Sequence, residues 1–87
     1  MDQEEQHRYC TNKFIDLANQ LKNEEIDPVL VSGALMTASG VFATFVAAGN
    51  EGVLEASGVE KVVDVYRRTL QHHQDAMKTY LTEKKLG

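Results

Sequence analysis

Apolar residues return at Cys10, Phe14, Leu17 and Leu21, in steps of four, three and four that set them on one stripe of a helix. This spacing predicts an amphipathic first helix over 3–22, with Arg8, Asp16, Asn19 and Gln20 on its solvated face. Asp2, followed three residues later by Glu5, has the form of a capping pair at its start. After a polar connector from Asn23 to Ile26, Asp27 and Pro28 read as N-cap and first helical residue, because the fixed proline φ suits that position. Ile26 and Val31 stand at the positions of a hydrophobic staple.

From Pro28 to Asn50 the polar half of the pattern disappears. No charged residue occurs in this stretch, which Glu24, Glu25 and Asp27 fence on one side and Glu51 on the other. A second helix is expected over 28–48, ended by Gly49 in the left-handed conformation that glycine permits. Its sides differ in bulk rather than polarity. Val31, Leu35, Ala38, Phe42 and Phe45 form a stripe of mostly large residues, whereas Gly33, Thr37, Gly40, Thr44 and Ala47 form a stripe of small ones on roughly the opposite side. Asn50 to Ala56 read as a loop, with Val53 and Leu54 covering the end of the core. Ser57 and Glu60 then offer an S-x-x-E capping box for a third helix over 58–82. There Val59, Val63, Tyr66, Leu70, His73, Met77 and Tyr80 alternate steps of four and three, a heptad-like seam. The last residues, Glu83 to Gly87, which include Glu83, Lys84 and Lys85, are expected to fray.

Three helices joined by short links predict an all-α, up-down-up three-helix bundle, a single helical domain over 1–87 without strands or repeats. A helix apolar all round needs cover on nearly every side, and two neighbours rarely enclose a whole circumference. Completion by a second copy is therefore expected, making the protein a homo-oligomer, most simply a dimer. The candidate contact surface is Gly33, Met36, Thr37, Gly40 and Thr44, where small side chains let another backbone approach closely. The uncharged run 28–50 also meets the length criterion for a membrane span. Against that reading, it carries serines, threonines and glycines and lacks both a basic flank and an aromatic belt.

Composition narrows the partners. The chain has 87 residues with 9 Lys and Arg against 13 Asp and Glu, and a net charge of -4 disfavours nucleic acid and anionic lipid. A single cysteine cannot form an internal disulfide, and the acidic, polar start does not resemble a secretion signal, so a reducing cytoplasm is expected. His7 and Cys10 have a spacing usable by a metal, but in an up-down-up bundle His72 and His73 would lie roughly 15 Å away along the axis at 1.5 Å per residue. A small-ligand or metal binder using these histidines is the minor alternative, and no cofactor is expected. His73 is expected to be partly buried, His72 exposed, and Cys10 an inert thiol on an apolar stripe. Lys61, Arg67 and Arg68 have Glu60 and Asp64 within one turn as partners. There is no glycine-rich phosphate loop and no base positioned to activate a nucleophile, so the chain is expected not to be an enzyme.

F-I-D-L-A-N at Phe14 to Asn19, V-S-G-A-L-M at Val31 to Met36, F-A-T-F-V-A-A at Phe42 to Ala48 and V-Y-R-R-T-L at Val65 to Leu70 together carry a resemblance. The chain resembles, over roughly Tyr9 to Tyr80, a family of short proteobacterial proteins catalogued as a domain of unknown function. That resemblance implies a bacterial, all-helical, single-domain protein and transfers no catalytic residue. A helix-mediated self-associating or protein-binding module is the expectation carried forward.

Overall fold

The first turn of a helix leaves N–H groups without partners, and the residues just ahead of each helix here supply acceptors for them. In the computed structural model, which describes residues 1–49 and 52–86 apart from the Leu86 side chain, the order is α1 (Gln3–Asn23), α2 (Pro28–Ala48) and α3 (Ala56–Leu86). The all-α, three-helix expectation holds, and no strand occurs among the described residues.

Asp2 caps α1, its Oδ1 accepting from the Glu5 amide at 2.8 Å. Glu4 and Glu5 in the first turn and Lys22 in the last complement the helix dipole. At the other end the Glu24 amide donates to the Gln20 and Leu21 carbonyls, and the Glu25 amide donates to the Lys22 carbonyl. This termination places Glu25 at φ 67, a left-handed conformation that a side chain disfavours. Two residues later Asp27 starts α2. Its Oδ1 accepts from the Val29 amide at 2.9 Å, and its carbonyl accepts from Leu30 and Val31.

Gly49 ends α2 at φ 59, as its position predicted, and the Gly52 amide, at φ 72, donates back to the Gly49 carbonyl. Asn50 and Glu51, part of the expected loop, lie outside the described residues. The Ser57 capping box does not start α3. The helix begins at Ala56, and its first turn closes when the Val59 amide donates to the Glu55 carbonyl, which puts Ser57 inside the helix. Nor does the chain fray at Glu83: α3 continues to Leu86, helped by Lys84 and Lys85 in a last turn where cations are favourable. Gly87 lies outside the described residues.

The chain forms two compact units, Met1–Phe42 and Ala43–Gly87, with the boundary inside α2. In the first unit, Ala18, Asn19 and Lys22 of α1 and Pro28, Val31 and Leu35 of α2 line a shallow cleft. Val31, 8% exposed, is its buried residue, and Ala18 and Leu21 are half-buried. In the second unit Leu54 and Val62 are half-buried, as are Ala43, Thr44 and Ala48. A Cβ on Gly58 would sit 3.3 Å from Leu54 Cδ2, so that glycine admits the leucine. Val53, expected to cover the core beside Leu54, is instead 72% exposed.

Burial of α2 within the chain, the central packing expectation, is not found. Leu30, Phe42 and Val46 are each exposed over roughly two thirds of their surface, at 65%, 67% and 69%. Within each unit the buried and half-buried residues lie towards the helix connection.

Two substitutions test this account of the helix ends. Glu25→Gly, which removes the Cβ from a left-handed residue, should raise stability by about 1 kcal/mol in urea unfolding. Asp27→Ala should lower it by about 1 kcal/mol through loss of the cap.

Candidate functional site

Exposed apolar side chains occur on each of the three helices. On α2 it combines large side chains with two gaps. An added Cβ at Gly33 or Gly40 would meet no heavy atom within 4 Å, so the chain itself leaves room beside both. Met36 and Thr37 are exposed between them, and Thr44 further along is half-buried. Thr37 Oγ1 donates to the Gly33 carbonyl at 3.0 Å, so its hydroxyl is satisfied by the helix and the methyl group remains available for packing.

The flanking helices repeat the theme. Phe14 and Leu17 on α1 are exposed, as are Val59, Val63, Tyr66, Leu70, Met77 and Tyr80 along the α3 seam. Cys10, expected to be a buried small hydrophobe, is exposed, because the stripe it belongs to has no cover at that level of α1. His73 is likewise exposed rather than partly buried, since the seam it occupies lies open, and His72 is exposed.

The polar faces are solvated and locally paired. Asp64 lies 3.1 Å from Arg68 and 3.6 Å from Arg67, which accounts for the basic cluster of α3 as one helix-surface network. All three side chains are more than half exposed, so these pairs contribute little to stability. Gln71 donates to Asp75 one turn on, and the Lys13 ammonium sits 5.3 Å from the Tyr9 ring. Among the described residues no group of three or more His, Cys, Asp or Glu side chains could hold a metal ion.

Sequence reasoning missed three features of this surface. The left-handed Glu25 carries no glycine or asparagine to announce it. The seating of Leu54 against Gly58 follows an i, i+4 spacing that spans a loop and a helix start, and so reads as neither. The cleft between α1 and α2 was signalled only by Ile26 and Val31 as a staple, without the α1 residues opposite.

A family model described as a protein of unknown function, DUF3144, matches residues 9–83. The chain belongs to that family. The match takes in most of α1, the whole of α2 and α3 up to Glu83, so the exposed apolar faces lie largely within the part that defines DUF3144. No curated protein and no solved structure matches the chain.

The two gaps on α2 yield a prediction whose sign is informative. Gly33→Ala and Gly40→Ala fit within the chain and should each favour the helix by about 1 kcal/mol. If another helix backbone rests there, the double variant should gain helicity by circular dichroism and lose association by light scattering.

Proposed function

We propose that this DUF3144 chain is a small, non-enzymatic, cytoplasmic interaction module that works by self-association through α2 and the seams of α1 and α3. The observation carrying this reading is that all three helices leave apolar faces open in the single chain. A second copy offers the same faces in equal number. Leu30, Met36, Val41, Phe42, Phe45 and Val46 are each more than half exposed. The contact is placed on Gly33, Met36, Thr37, Gly40 and Thr44, where the relief of the helix allows the closest approach.

Light scattering on the purified protein tests this. Wild type should be a dimer or higher oligomer, and Gly40→Leu should weaken association at least tenfold by keeping backbones apart. A monomeric wild type at millimolar concentration removes the proposal, and an unchanged Gly40→Leu oligomer removes that stripe from it.

A second reading rests on α2 alone. Its 21 residues are long and apolar enough to cross a membrane, and little of the helix is buried within the chain. At 1.5 Å per residue it spans about 31 Å, against ~30 Å for a bilayer core. A bilayer, however, would cover α2 and leave the seams of α1 and α3 unexplained, and both flanks of the run are acidic. Liposome flotation separates the two readings. Under self-association the protein stays with the soluble fraction without detergent; recovery with the floating vesicles favours the span.

A further inference from the structure

We draw no further inference here: the strongest candidate, the shallow cleft of the first unit between α1 and α2 over Val31, has only the exposed side chains of Asn19, Lys22 and Ser32 as its polar rim, and nothing in the structure shows what covers it.

Discussion

The demand that water be kept from α2 governs the other features, because a helix with no charge between Pro28 and Ala48 has no side of its own suited to solvent. Elsewhere the chain follows the ordinary division between an apolar stripe and a polar back. In α2 that division is replaced by a contrast of size. Large side chains on one side and glycines on another cannot orient the helix toward water, but they can orient it toward a surface of complementary shape. The amphipathic α1 and α3 differ from it in each having one apolar stripe and one solvated face.

Local and tertiary interactions are therefore unevenly distributed. The helix ends are specified closely: Asp2 and Asp27 cap, Gly49 terminates, and acidic and basic residues lie where the dipole of α1 favours them. The lengths between those ends have much less holding them. Val31 is buried where α1 and α2 connect, and Leu54 meets Gly58 where α3 begins.

The parts of this arrangement legible in the sequence are those governed by short-range chemistry. Asp27 before Pro28, and Gly49 after an alanine-rich run, each depend on residues within one turn, and the helix ends they mark agree with the structure. Ser57 misled because a capping box is only one way to start a helix. The Glu55 carbonyl closes a turn earlier, and backbone acceptors leave no trace in residue type. Burial was the harder inference. Periodicity identifies which residues of a helix share a face, as it did for Phe14, Leu17 and Leu21, but it does not say whether the cover belongs to the same molecule. Cys10 was read as a buried thiol and His73 as partly buried on the strength of their stripes, and both are exposed. The candidate surface of Gly33, Met36, Thr37, Gly40 and Thr44 was readable as a pattern of side-chain sizes; the partner it fits was not, because small residues specify distance of approach and nothing about identity.

The bond from Thr37 to the Gly33 carbonyl bears on how selective such a surface can be. With its proton turned back onto the helix, the threonine presents a methyl group to anything alongside and has no donor left with which to query a neighbour. On that side of α2 the relief is set by side-chain volume, with hollows at Gly33 and Gly40. A helix laid along that side would be read by volume, so substitutions that add bulk there would matter more than ones that change polarity.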